Sequence, residues 1–200
     1  MSVPRDFIPV RLRHVDARHG RAVIRDIRTA EKARGAAVER SRYAWAGPAA
    51  ESALCWAYNS NKKHAHSAHL ARTLRYDLDL DLPGGTRRLR CEVKTRIAEA
   101  GWIHPERFDW ISVPLHEDRE PVKPDAQAIF FCWWSADAPR VLWLLGMLPG
   151  LDAFQRAAVF YREGDLLPRG GYVRGKGTYQ LHVESLARVP RGLFKEMPNV

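Results

Sequence analysis

Tyr76-Asp77-Leu78-Asp79-Leu80-Asp81-Leu82, then Pro83-Gly84-Gly85-Thr86, then Arg87-Arg88-Leu89-Arg90-Cys91-Glu92-Val93-Lys94-Thr95, is two alternating segments joined by a turn. Leucines at every second position of the first segment face one way and Asp77, Asp79 and Asp81 the other, the period of a strand. Proline followed by two glycines is turn chemistry. The return segment alternates again, with Leu89, Cys91 and Val93 on the core side and Glu92 and Lys94 together on the opposite side. The stretch therefore predicts a β-hairpin.

The turn length sets which residues meet. With a four-residue turn, Leu82 faces Arg87, Asp81 faces Arg88 and Asp79 faces Arg90, two ordinary cross-strand ion pairs. Asp77 then faces Glu92. Two carboxylates directly opposite repel, and a hard divalent cation, which takes oxygen ligands, would relieve them. A two-residue turn keeps the faces and makes Asp77 diagonal to Glu92. A three-residue loop without a bulge would put them on opposite faces.

Outward from the hairpin, Gly47-Pro48 opens a helix over 49–58, with Leu54, Cys55 and Tyr58 as its apolar stripe and Glu51 in its first turn. Proline suits the start of a helix, and a carboxylate there complements the helix dipole. The first 46 residues are dense in arginine and predict a basic arm followed by a helix over 26–43, lying along phosphates or simply solvated. Lys62-Lys63-His64-Ala65-His66 predicts a basic loop; the histidines lack the spacing and companions of a zinc set.

Downstream, Ala128 to Trp134 is a continuous apolar run, suited to a strand buried on both faces. Further strands are expected over 141–147 and 179–183, a short helix over 151–158, and between them a glycine-rich loop, 164–177, carrying Arg169, Arg174 and Lys176. Segment 97–127 reads as irregular and the last residues, 191–200, as a tail. The organisation expected is a basic arm and helix over 1–46, one domain over 47–190, and that tail.

The chain has 200 residues, 46% hydrophobic and 28% charged, with a net charge of +9. That is enough chain for one core, and the charge favours a polyanionic partner, most often nucleic acid. Cys55, Cys91 and Cys132 are widely spaced within apolar stretches and read as core residues of a reducing compartment. No apolar stretch approaches the roughly 20 residues that span a bilayer, and no signal peptide opens the chain. A cytoplasmic setting, in a bacterium or a phage-infected host, and no membrane partner are expected.

The pattern of Asp77, then Glu92-Val93-Lys94, with Glu51 on a preceding helix, resembles the PD-(D/E)XK nuclease superfamily. Its wording, Tyr76-Asp77 and Glu92-Val93-Lys94-Thr95-Arg96, is similar to the resolvase-like and phage- or restriction-associated branches, with Tyr76 standing where the family's name has proline. The resemblance implies an α/β fold, a restriction-endonuclease-like core with a central mixed β-sheet flanked by helices. It implies a magnesium-dependent deoxyribonuclease, an endonuclease in preference to an exonuclease, leaving 5′-phosphate and 3′-hydroxyl ends, with DNA as partner and a homodimer allowed. Asp77, Glu92, the Val93 backbone carbonyl and Glu51 would hold Mg²⁺, with Mn²⁺ as a substitute and Asp79 as the alternative to Asp77. Lys94 would act on the attacking water. Lys62, Lys63, Arg96, Arg174 and Lys176 would meet the nucleic acid. The alternative is a catalytically silent nucleic-acid-binding or phage assembly module on the same fold. Bland readings stand beside each role: Glu51 complementing its helix dipole, Lys94 pairing with Glu92 or Asp77.

Overall fold

In the computed structural model, residues 7–33, 35, 42–58, 76–81, 88–98, 105, 109–115 and 121–189 are described. Strands β1 (Ile8–Arg11), β2 (Leu78–Asp81), β3 (Arg88–Ala98), β5 (Ala128–Ser135) and β6 (Val141–Leu148) form one sheet in the order β1-β6-β5-β3-β2. β3 and β5 run parallel and the other neighbours antiparallel, so the sheet is mixed. Strands β4 (Trp110–Pro114), β7 (Ala158–Tyr161) and β8 (Thr178–His182) form a second, antiparallel sheet in the order β4-β8-β7. Helices α1 (His14–Ala33), α2 (Ala46–Ala57) and α3 (Gly150–Ala157) complete the α/β architecture. No described helix is long and apolar enough to cross a membrane.

β5 organises both cores. Every one of its residues is buried, as its unbroken apolar run requires. Ala128, Phe130, Cys132 and Trp134 point to a core shared with α2 and the hairpin, whereas Ile129, Phe131 and Trp133 point to a second core shared with α3 and strands β4 and β8. Burying one such aromatic side chain contributes on the order of 2–3 kcal/mol. One face of the main sheet is thus covered by helices. The other is covered largely by the small sheet and α3.

The hairpin register is the four-residue-turn register: Asp79 pairs with Arg90 and Asp81 with Arg88. The turn itself lies outside the described residues, as do Lys62, Lys63 and the segment from 190 onward. α2, β5, β6, α3 and β8 fall within a few residues of their expected positions.

The N-terminal segment differs. Of the helix expected over 26–43, residues 26–33 belong to α1, which already starts at His14, whereas 34 and 36–41 lie outside the described residues; β1, before α1, joins the edge of the main sheet through β6. Asp16, fully buried in the first turn, accepts from the Arg13 backbone N–H at 2.9 Å and from the Arg13 guanidinium at 2.8 and 2.7 Å. It thus satisfies a donor at the helix start, as a capping-box carboxylate does. Ser52 Oγ of α2 donates to Asp16 at 2.7 Å and ties the two helices. Gly20 permits their close approach: a Cβ there would lie 2.3 Å from the Trp45 carbonyl oxygen. Within the segment expected to be irregular, β4 also forms, placing Ile111 and Val113 in the second core.

Candidate active site

β3 presents Glu92, Lys94 and Arg96 on one face. Their register partners on β5 are Ile129, Phe131 and Trp133, the residues of the second core. Val93, between them, turns to the first core. Glu92 is 2% exposed and Lys94 half-buried, with Lys94 Nζ 2.5 Å from Glu92 Oε1. Burial raises the Glu92 carboxyl above the ordinary glutamate range; Lys94 opposes this shift and Asp77 adds to it.

Asp77 sits just before β2, where the paired hairpin ends. Its backbone N–H donates to the Cys91 carbonyl at 2.8 Å, and its Oδ2 accepts from the Val93 N–H at 2.8 Å. The side chain therefore stands in for a strand partner and satisfies a donor of β3. That contact fixes the carboxylate beside Glu92. Asp79 is equally buried but faces Arg90, and Tyr76 Oη donates to it at 3.4 Å.

One member of the cluster is absent from the sequence reading. Lys123 lies in Pro121-Val122-Lys123-Pro124, between β4 and β5. Its ammonium pairs with Asp77 Oδ1, and its backbone N–H donates to Glu92 Oε2. Val122, fully buried in the second core, anchors the segment. Burial alone would pull the Lys123 pKa down; the charge of Asp77, followed by those of Glu51 and Glu92, overrides it and holds the ammonium above the ordinary lysine value. Glu51, buried on α2, is therefore close enough to be felt at this site. A lysine between two prolines carries no local signature; only its placement by Val122 reveals it.

The outlying basic residues divide. Arg96 is exposed two positions beyond Lys94 on the same face, and its charge is felt by Arg169 of the loop between β7 and β8, whose pKa is lowered by burial, against the influence of Asp109, and further by Arg96. Arg174 and Lys176 are exposed on that same loop.

Asp77, Glu92 and Glu51 supply buried carboxylate oxygens of the hard type that Mg²⁺ and Mn²⁺ take, so the donor chemistry fits such a cation. As the side chains stand, no group of three histidine, cysteine or acidic residues among the described residues is arranged as a metal cage; the ammonium of Lys123 and that of Lys94 are what face the carboxylates. Comparison of the chain with protein-family models, with curated proteins and with solved structures found no match.

Proposed function

We propose that the chain is a metal-dependent deoxyribonuclease with a restriction-endonuclease-like core, hydrolysing phosphodiester bonds to leave 5′-phosphate and 3′-hydroxyl ends. The observation that carries the reading is the pair Asp77 and Glu92, two buried carboxylates from adjacent hairpin segments, with Lys94 against Glu92. Burying like charges together is costly unless cations compensate them.

Asp77, Glu92 and the Val93 carbonyl would hold Mg²⁺ or Mn²⁺, with Glu51 toward a second ion or its waters. A cation held there supplies Lewis acidity at the phosphate and lowers the pKa of water. Lys94, half-exposed at the rim of the cluster, would orient the attacking water or offset charge on the phosphate as the ammonium, or take up the water's proton as the neutral amine. Asp77 has a further duty: its second oxygen is committed to Val93 N–H, which keeps the carboxylate from rotating away. Arg96, with Arg169 nearby, would extend the positive surface along the DNA backbone.

The second reading, a catalytically silent module, is favoured by Lys123. Its contacts compensate both carboxylates from within the chain, as a structural ion cluster would. The two readings separate on a substrate panel of supercoiled, linear, single-stranded and branched DNA with Mg²⁺, Mn²⁺ or EDTA. The nuclease cuts at least one substrate with metal and none in EDTA. DNA binding without cleavage of any substrate in either metal would leave the silent module.

A further inference from the structure

A concave site of about 710 Å³ lies away from the carboxylates, under the exposed face of α1. Arg21, Arg25, Arg28 and Lys32 line it from the helix and Arg42 from the segment before α2, while Tyr43, Trp45 and Trp134 supply its aromatic surface. The helical cations recur at intervals of four, three and four residues, which places them in one stripe. Like charges so spaced weaken a helix, and no carboxylate lines the site among the described residues; Asp26 meets Arg25 at 3.8 Å, with both side chains exposed.

The aromatic part is built into the fold. Trp45 packs edge-on to the buried Trp134 at 5.1 Å between centroids, and Tyr43 tilts against it at 5.5 Å. Arg21 lies over the Trp45 ring at 5.1 Å and Arg42 over the Tyr43 ring at 4.6 Å. Planar guanidinium on an aromatic ring is the layered surface on which an unstacked base also sits. The cationic stripe answers the phosphates that accompany such a base. A duplex hides its base faces and would leave the aromatic surface unused. Trp134 is five residues along β5 from Ile129, the register partner of Glu92, or roughly 17 Å at strand rise.

We propose that this site binds single-stranded nucleic acid, backbone along the α1 stripe and a base against Tyr43 and Trp45. The proposal stands on the pocket's own chemistry and does not require the carboxylate cluster to cleave anything.

The test is fluorescence-anisotropy titration in EDTA with a labelled thymidine 12-mer, the corresponding duplex and thymidine monophosphate. The wild-type chain is expected to bind the 12-mer at least tenfold tighter than the duplex or the mononucleotide. Arg25→Gln/Arg28→Gln, on an exposed helix face and checked by circular dichroism, is expected to bind at least tenfold more weakly. Its salt slope should fall by about 1.4, since each single-strand phosphate contact contributes about 0.7. Tyr43→Ala should weaken binding with the slope unchanged, the mark of lost stacking. No 12-mer binding by the wild type, undiminished binding by the double variant, or a duplex or mononucleotide bound as tightly as the 12-mer would each overturn the proposal. Cleavage assays in Mg²⁺ report separately on the nuclease reading: intact binding without cleavage would count against that reading alone.

Discussion

Lys123 pairs through its ammonium with Asp77, from a segment 46 residues further along the chain. The same residue's backbone N–H holds Glu92. One loop residue therefore compensates both carboxylates of the hairpin, in the place where a divalent cation would be expected to act. Lys123→Met should lower stability by about 2 kcal/mol in EDTA, less than a fully buried pair because the lysine side chain is 32% exposed. Mg²⁺ or Mn²⁺ should then raise the melting temperature of Lys123→Met more than that of the wild type, because the competing ammonium is gone. Thermal melts with and without metal check this; equal metal-induced shifts in the two proteins would show that Lys123 and the cation do not compete.

Glu92 carries a second consequence. Burial raises its pKa in the folded chain, so its contribution favours folding at low pH, below the ordinary glutamate value of about 4.5, and is lost as pH rises through the raised folded value. Glu92→Gln, nearly isosteric, removes the ionisation. In EDTA it should be more stable than the wild type at pH 8, with the difference shrinking as pH falls toward 4.5. Denaturant midpoints across pH measure it. A Gln variant less stable at pH 8 would mean that the two lysines already overcompensate the charge.

The hairpin and its register were legible in the sequence because a period of two leaves little freedom: Asp79 and Asp81 had arginines at the matching distance, and Asp77 was left opposite Glu92. β5 was legible for the same reason, as an apolar run too short for a membrane and too continuous for a half-exposed strand. The start of α1 was not. Its packed face is made by Ala17, Gly20, Val23 and Ile24, and small residues in an arginine-rich stretch give a weak apolar period, although Asp16 three residues after Arg13 was a usable capping signal. Lys123 was invisible because its role depends on where Val122 seats a proline-flanked loop. Arg21, Arg25, Arg28 and Lys32 were visible as charge, but the pocket they share with Trp45 and Trp134 needed the fold.

Asp16→Ala tests the junction that orients α1 on α2. It removes the acceptor of three Arg13 contacts and of Ser52 Oγ; the carboxylate is fully buried and the Arg13 side chain 29% exposed. A loss of about 2 kcal/mol is expected in urea denaturation, since the guanidinium keeps its stacking on Trp56 at 3.9 Å and part of its access to water but loses its counter-charge. A loss below about 1 kcal/mol would show that water replaces the carboxylate and that the junction is looser than described.

Gly20→Ala probes the same interface sterically. The added Cβ would lie 2.3 Å from the Trp45 carbonyl and 3.0 Å from the Ala49 nitrogen, both backbone atoms that cannot rotate aside. The helices must separate, at a cost of about 2–3 kcal/mol by analogy with overpacked cores. Because Trp45 moves with α2, this variant should also weaken binding of the thymidine 12-mer. Unchanged stability, read from thermal or chemical denaturation, would place the two helices farther apart than this geometry has them.

The most direct test of the central claim is the cleavage rate of wild type and Lys94→Ala, measured side by side in Mg²⁺ on whichever DNA the wild type cuts fastest, with Mn²⁺ binding followed by calorimetry on the same preparations. A fall of about 10²–10³-fold in rate is expected, the size of losing one preorganised charge at the reacting phosphate, with metal binding retained by Asp77 and Glu92. Lys94→Ala cutting at the wild-type rate would contradict the claim.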